Sequence, residues 1–393
     1  MNILFVSTKS PYPLKDGHSL RTFNLLKQAS KNNNIFLLTY FLSKEEVQEF
    51  DSVQAFTKRA EGYALKAHNS GLLTAAGLFL NLFSPNPFVV DKFNTRRMRN
   101  AIKKILREEK IDVVHMDLLP LMGFYKIIKQ YPIVLVNHNV ESALLSKRVK
   151  YTKNLFTKLY LLLQYYKLRC FEKKQIGRVA CCVAVSDKDR DILQTMQPSA
   201  RIEVVPNGVD TDYFKPHSSR QENTLIYVGG MDWFPNSDAV NYFSQAIYPK
   251  ILEHADIFNV EIIGKIPKNY NNHNVFKYYG YIKDVRPYLE KAKVFIVPLR
   301  IGGGTRLKIL DAMSMERAIV TTSIGCEGLE VENGTHLIIE DTAEGFAKAV
   351  VELLGNDVKR QALGANARKL VQEKYAWETI ALKMDKIYTT LRR

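Results

Sequence analysis

The sequence predicts an α/β protein built from two doubly wound, Rossmann-like parallel-sheet domains. Three observations lead there. The chain has 393 residues, enough for two domains at roughly 100–200 residues each. Short apolar runs recur along it, each followed by a helix-like amphipathic segment. Those runs are continuous rather than alternating, which marks strands covered on both faces. Hydrophobic residues make 46% and charged residues 24%, which excludes a disordered, collagen-like, coiled-coil or disulfide-scaffold chain.

In the first half the expected strands fall at 3–6, 35–40, 113–116, 133–136, 179–185 and 202–205. In the second half they fall at 225–228, 260–263, 294–297, 318–321 and 337–339. Between the halves, PNGVD at 206–210 is a turn signal, and a polar stretch follows at 215–223. The expected organisation is a first domain over 1–205, a linker over 206–223, a second domain over 224–375 and a C-terminal helix over 376–393 that crosses back to the first domain. The opening MNILFVSTKSPYPL has no basic region and no small-residue cleavage site, so it is expected to form the first strand rather than a signal peptide. The longest apolar stretch, 71–83, falls short of the roughly 20 residues a spanning helix needs. Cys170, Cys181, Cys182 and Cys326 form neither a CxxC pair nor a zinc spacing, so a reducing compartment is expected.

Charge is the unusual figure. Lys and Arg number 56 against 40 Asp and Glu, a net of +16. Residues 1–205 hold 32 basic and 17 acidic residues, whereas 206–393 hold 24 and 23. The basic half should face something anionic. No nucleic-acid-binding motif accompanies the charge, so nucleic acid is not the expected partner.

Ligands of open α/β sheets bind beyond the C-terminal ends of the strands, so the loops there carry the candidates. The first loop, STKSPYPLKDG, ends at Gly17 and lacks the GxGxxG of a dinucleotide site. His138 stands at a strand end in a polar cluster, whereas His115 lies inside an apolar run and is expected to be packed. Ser186 reads as a helix N-cap with Asp189. Gly229 and Gly230 end the first strand of the second domain, where a loop can pass close to a ligand. The strongest segment is PLRIGGGTRLKILDAM at 298–313. There a strand runs into glycines, among them Gly303 and Gly304, then Thr305, and a helix begins at once. Free N–H groups and the positive helix end make an anion site. Arg306 and Lys308 oppose the helix dipole unless an anion is present. A diphosphate is the natural guest, and Asp311 can accept hydrogen bonds from hydroxyls.

Taken in order, several runs resemble the family-4 glycosyltransferases over nearly the whole chain. These are the Pro-rich loop ending at Gly17, HNVE at 138–141, AVS at 184–186, VVPNGVD at 204–210 and YVGGMDWFPNSDA at 227–239. GYIKDVRPYLEKAKVFIVPL at 280–299, GGGTRLKILDAM at 302–313 and ARKLVQEKYAW at 367–377 complete them. The resemblance implies a GT-B fold and transfer of a sugar from a nucleotide donor with retention of configuration. It implies that Asp311 takes the place of the second Glu of the family's E-x7-E motif and holds donor hydroxyls. Gly303 stands where the first Glu would be, leaving the backbone of 302–305 to meet the donor sugar. The glycine loop at 229–230 lacks the Arg and Lys that many members place after it, so Arg306 and Lys308 would supply the diphosphate's counter-charge. Main-chain atoms near Ile282 would meet the base, and His138 would stand beside the reacting sugar.

The implied donor is a UDP- or GDP-sugar, with no cofactor and no metal. Asp210-Thr211-Asp212 imitates a DxD motif but lies at the interdomain turn. The implied acceptor is a lipid-linked or cell-surface glycan. Residues 146–174 interleave bases with Tyr, Leu and Phe, and are expected to form one helical region: either an interfacial helix, with Lys147, Arg148, Lys150 and Lys153 meeting the acceptor or an anionic membrane, or a long core-packed helix with a basic outer face. The expected location is cytoplasmic, peripheral on the inner face of the membrane. The rival readings are a nucleotide-sugar epimerase on the same fold and a catalytically weakened nucleotide-sugar-binding protein.

Overall fold

The structure is a computed structural model. It describes residues 1–65, 71–217, 221–255, 257–267, 276–302 and 307–392, with backbone only at 71–73. The chain divides into two compact units: Met1–Pro206 with Ile380–Arg393, and Asn207–Thr379.

The first unit holds a seven-stranded parallel sheet. Its strands are β1 (Asn2–Ser7), β2 (Asn34–Phe41), β3 (Arg59–Ala64), β4 (Val113–Asp117), β5 (Ile133–Val136), β6 (Cys181–Ala184) and β7 (Ile202–Val204). Their order is β3-β2-β1-β4-β5-β6-β7. The winding reverses between β1 and β4, and that switch point opens a crevice at the strands' C-terminal ends. Register pairs Ser7 with Asp117 and Asp117 with Val136, so three strand ends come level there.

The second unit repeats the plan with six parallel strands: β8 (Glu222–Val228), β9 (Asn259–Ile263), β10 (Lys277–Gly280), β11 (Ala292–Val297), β12 (Ala318–Thr321) and β13 (Ile338–Ile339). The order is β10-β9-β8-β11-β12-β13, so the reversal falls between β8 and β11. Each run predicted from sequence overlaps a strand, the run 179–185 extending past both ends of β6. Two strands without such a run, β3 (RAEGYA) and β10 (KYYG), are both sheet edges. An edge strand packs on fewer neighbours and tolerates charge, so it shows no continuous apolar run.

The central strands are buried, and each sheet has its own core. The segment expected as one helix over 146–174 is two helices, Glu141–Tyr151 and Leu155–Ile176. The break follows Tyr151, where Asn154 caps the second helix by accepting from the Thr157 amide at 2.9 Å. Lys153 lies in the connection. The C-terminal helix, Trp377–Leu391, enters the first unit from Ile380 onward.

Candidate active site

Strand β4 reads VVHMD. Alternation puts His115 and Asp117 on one face, while Val114 and Met116 join the core on the other. On helix Gly17–Ala29, His18, Arg21 and Thr22 fall at i, i+3 and i+4, one helical face. The fold brings these two polar faces together at the β1/β4 switch point. Asp117, only 2% exposed, accepts from Thr22 Oγ1 at 2.7 Å on Oδ2. His18 Nε2 lies 3.1 Å from the same oxygen. His138, two residues past β5, places Nε2 2.7 Å from Oδ1. The His18 and His138 rings meet edge-on, with centroids 4.5 Å apart.

Burial works to raise the Asp117 carboxyl, but attraction to His138 and hydrogen bonds from the surrounding histidines outweigh it, holding Asp117 well below the usual carboxylate range. Asp117 is therefore an acceptor only, and Nε2 of His138 carries the proton. Burial pushes the His138 imidazole down to about 4, against the pull of Asp117. At neutral pH the ring is uncharged, with its second nitrogen, Nδ1, an acceptor that makes no hydrogen bond among the described residues.

Behind Asp117, His115 is fully buried and stacks on Phe5 at 3.9 Å. Burial holds the Tyr388 phenol protonated, and its hydroxyl shares a hydrogen bond with His115 Nδ1 at 2.7 Å. His115 Nε2 then faces Asp117 at 3.9 Å. The C-terminal helix thereby backs the cluster. Arg21, buried and with burial lowering its guanidinium to about 10, donates to the carbonyls of Val205 and Pro206 at 2.7 Å each. It remains cationic and supplies positive charge near Asp117.

His18, Asp117 and His138 each offer one metal-ligating atom, all within 4.8 Å of one another. The Nε2 atoms of both histidines also face the carboxylate directly. Asp210 Oδ1 accepts from the amides of Asp212 and Tyr213 at 3.1 and 2.9 Å. Gly17 opens its helix with Asp16 as cap, so this N-terminus already carries a carboxylate, which also pairs with Lys9.

His138 leads into helix Glu141–Tyr151, whose N-terminus has no cap of its own. Buried Glu172, from the next helix, accepts from the amides of Glu141 and Ser142 at 3.0 and 3.3 Å and from the Ser142 hydroxyl. Burial, with Glu172 beside it, pushes the Glu141 carboxyl up to about 7.

The second unit places Gly229 and Gly230 at the end of β8, on the switch point with β11. The Gly229 amide donates to Ile263 at 2.7 Å and the Met231 amide to Lys265 at 2.7 Å, so the loop lies flat on the end of β9. Gly264 makes this possible: its φ is +146°, and a Cβ there would collide with the Gly229 carbonyl. From the helix Leu307–Ser314, Lys308 reaches back across the switch point. Its ammonium donates to Tyr227 Oη and Asn236 Oδ1, both at 3.0 Å, and lies 4.3 Å from the Tyr227 ring centroid. Asn236 in turn donates to the Gly230 carbonyl at 2.9 Å. A Cβ at Gly229 would stand 2.8 Å from the Lys308 nitrogen. Lys308 and the glycine loop therefore line the same space.

Asp311, one turn further along the helix, makes no side-chain hydrogen bond among the described residues, and burial pushes its carboxyl up to about 7. Arg300, at the end of β11, is held by Asp238 at 2.7 Å over the Tyr242 ring. Ile282 packs its side chain against the core just past Gly280 at the sheet edge. Gly303, Gly304, Thr305 and Arg306 lie outside the described residues. Lys147, Arg148, Lys150 and Lys153 are exposed on the helix Glu141–Tyr151 and the turn after it.

Sequence reading missed Asp117, His18, Thr22 and Arg21. The available signal was a charged residue ending an apolar parallel strand, and three polar residues at helical spacing on a face that should meet the sheet.

Two doubly wound parallel sheets of this order, each with its crevice at a switch point, are the architecture of the GT-B glycosyltransferases. Over its full length the chain superposes on sucrose-phosphate synthase from Thermosynechococcus elongatus, with a TM-score of 0.69, 17% identity and 99% of that chain covered. It superposes equally on Anabaena HepE in complex with UDP-glucose, with a TM-score of 0.66, 13% identity, and 99% of this chain and 100% of that one covered. These are likenesses of fold. In sequence, residues 60–213 match Glycosyltransferase Family 4 and residues 222–356 match Glycosyl transferases group 1. The chain belongs to this glycosyltransferase family and is a glycosyltransferase. It is also 24% identical to a 44.6 kDa protein of the cps region of Klebsiella pneumoniae, over 95% of this chain and 96% of that one.

Proposed function

We propose that this glycosyltransferase moves a sugar from a UDP- or GDP-sugar to a lipid-linked or cell-surface glycan, with retention of configuration and without a metal ion. The observation that carries the reading is Lys308 spanning the glycine-lined switch point of the second unit. It sets a cation beside a backbone loop that a diphosphate can approach closely.

Bond cleavage leaves negative charge on the nucleoside diphosphate. Lys308, the helix end it belongs to and Arg306 would stabilise that charge, and fixed cations act more strongly in a partly desolvated crevice than in water. Asp311 would accept donor hydroxyls, the ribose foremost, and main-chain atoms around Ile282 would meet the base. In the first unit, neutral His138 would use Nδ1 to accept a hydrogen bond from a hydroxyl of the transferred sugar, its ring held by Asp117. The family resemblance supports front-face attack, with a donor phosphate oxygen receiving the acceptor's proton. The basic first unit suits a cytoplasmic enzyme working at an anionic membrane face, with Lys147, Arg148, Lys150 and Lys153 toward it.

The test is thermal melting against a panel of nucleoside diphosphates, with and without excess chelator. A cognate diphosphate at 100 times its Kd should stabilise by about 2.7 kcal/mol, and chelator should leave the shift in place. No shift with any nucleoside diphosphate would overturn the donor assignment. A shift abolished by chelator and restored by magnesium or manganese would overturn the metal-free reading.

A further inference from the structure

The first unit carries an apolar surface that neither crevice uses. On helix Leu155–Ile176 the core face is formed by Leu161, Gln164, Leu168 and Glu172. The opposite face is also apolar: Leu155, Leu159, Leu162, Leu163 and Tyr166 recur at helical spacing and are all exposed, with Phe156 beside them 84% exposed. A helix apolar on both faces needs a second partner.

The end of helix Gly71–Asn81 lies against the same helix. Gln164 donates to Asn81 Oδ1 at 2.8 Å, and Lys167 donates to the Asn81 carbonyl at 2.7 Å. Around that junction Phe79 and Leu80 are exposed, and Phe83 is 79% exposed. Of the exposed large hydrophobic side chains among the described residues, more than half fall in 79–83 and 144–166. Scattered singly they would mean little. Gathered on two abutting helices they form the kind of patch that marks an interaction site.

Charge selects the partner. Lys158 and Arg169 are exposed along one border of the apolar stripe, and the exposed bases at 147–153 lie on the adjoining helix and turn. Phe and Leu at the centre with Lys and Arg at the rim is the composition of an interfacial membrane surface, where long basic side chains reach lipid phosphates. We propose that this composite surface, Phe79–Phe83 with the outer face of helix Leu155–Ile176, inserts into an anionic lipid bilayer. The inference rests on the reading of a membrane-borne acceptor, and it names the docking surface. It differs from attraction by the bases alone, because an inserted apolar wedge holds at salt concentrations that screen surface charge.

The experiment uses the full chain and vesicles of phosphatidylcholine, with and without phosphatidylglycerol, in low and high salt and without donor. The wild-type chain should co-sediment with phosphatidylglycerol vesicles and stay bound in high salt. The double variant Phe83→Glu/Phe156→Glu should bind at least about tenfold more weakly. The variant Lys158→Gln/Arg169→Gln should show a weaker preference for the anionic vesicle, the bases at 147–153 remaining. Both variants should keep the wild-type melting temperature and nucleoside diphosphate shift, which separates this proposal from the donor reading. Unchanged vesicle binding by Phe83→Glu/Phe156→Glu would overturn the proposal. So would absence of wild-type binding, or a wild-type dimer in sedimentation velocity that this variant abolishes.

Discussion

Replacing Asp117 with Asn tests whether the buried cluster works as a unit. The carboxylate takes three donors on two oxygens: Thr22 at 2.7 Å, His138 at 2.7 Å and His18 at 3.1 Å. An Asn has the same shape but one acceptor oxygen and an NH2 group. If its oxygen faces Thr22 and His18, the NH2 meets the proton on His138 Nε2. That ring must then move its proton to Nδ1, and the nitrogen left without a partner changes from acceptor to donor. If the amide is reversed, His18 is the ring that must change. Either way a charge-assisted hydrogen bond is lost, worth about 1.5–3 kcal/mol. For a unit of this size that is roughly 3–12 °C of melting temperature. If the loss falls on the transition state, turnover drops about 10- to 150-fold. The assay is release of nucleoside diphosphate from donor, alongside thermal melting and the diphosphate-induced shift. The expected result is slower turnover and a lower melting temperature, with the diphosphate shift intact because that site lies in the second unit. Wild-type turnover and melting in Asp117→Asn would refute the argument that Asp117 sets the His138 proton.

Lys308→Ala should weaken nucleoside diphosphate binding by about 1.5–3 kcal/mol, roughly 10- to 150-fold, read by titration calorimetry. Gly264→Ala should destabilise by at least about 1–3 kcal/mol from its positive φ alone and remove the diphosphate shift, since its Cβ would push the Gly229–Gly230 loop out of place. Stability against pH should show two opposed contributions. His138, at about 4 when folded against an ordinary 6.5, binds fewer protons in the folded chain, so its contribution is present above about 6.5 and is lost as pH falls toward 4. Glu141, raised to about 7 from an ordinary 4.5, contributes fully below 4.5 and loses that contribution as pH rises through 7. Glu141→Gln should therefore raise the melting temperature at pH 8 more than at pH 5. An equal change at both pH values would contradict the raised carboxyl.

The central strands were legible from residues alone because a parallel strand covered on both faces must be apolar along its length, and VVHM and CCVA read that way in any context. The placement of Gly229 and Gly230 at a strand end and of Lys308 in a first helical turn was legible too, each from its own segment. At 302–308 glycines run into bases at a helix start, a conflict with local preference. The helix break after Tyr151 was not, because Lys153 and Asn154 carry no strong stop signal and Asn154 acts through a cap that only geometry reveals. Asp117 was hidden more deeply. Its partners His18 and Thr22 lie 99 and 95 residues away, so no window on the chain contains them. The segment carrying the exposed stripe was legible as a basic helical stretch rich in Tyr, Leu and Phe, but not which leucines face outward, since Leu159 and Leu161 are the same residue type on opposite faces. Composition and period record what each segment prefers by itself, and they determined the strands, the glycine loop and the charge asymmetry. Register and packing alone decided which faces meet, and they made a buried Asp–His cluster and an unpartnered apolar surface from residues whose facing no single window of the chain records.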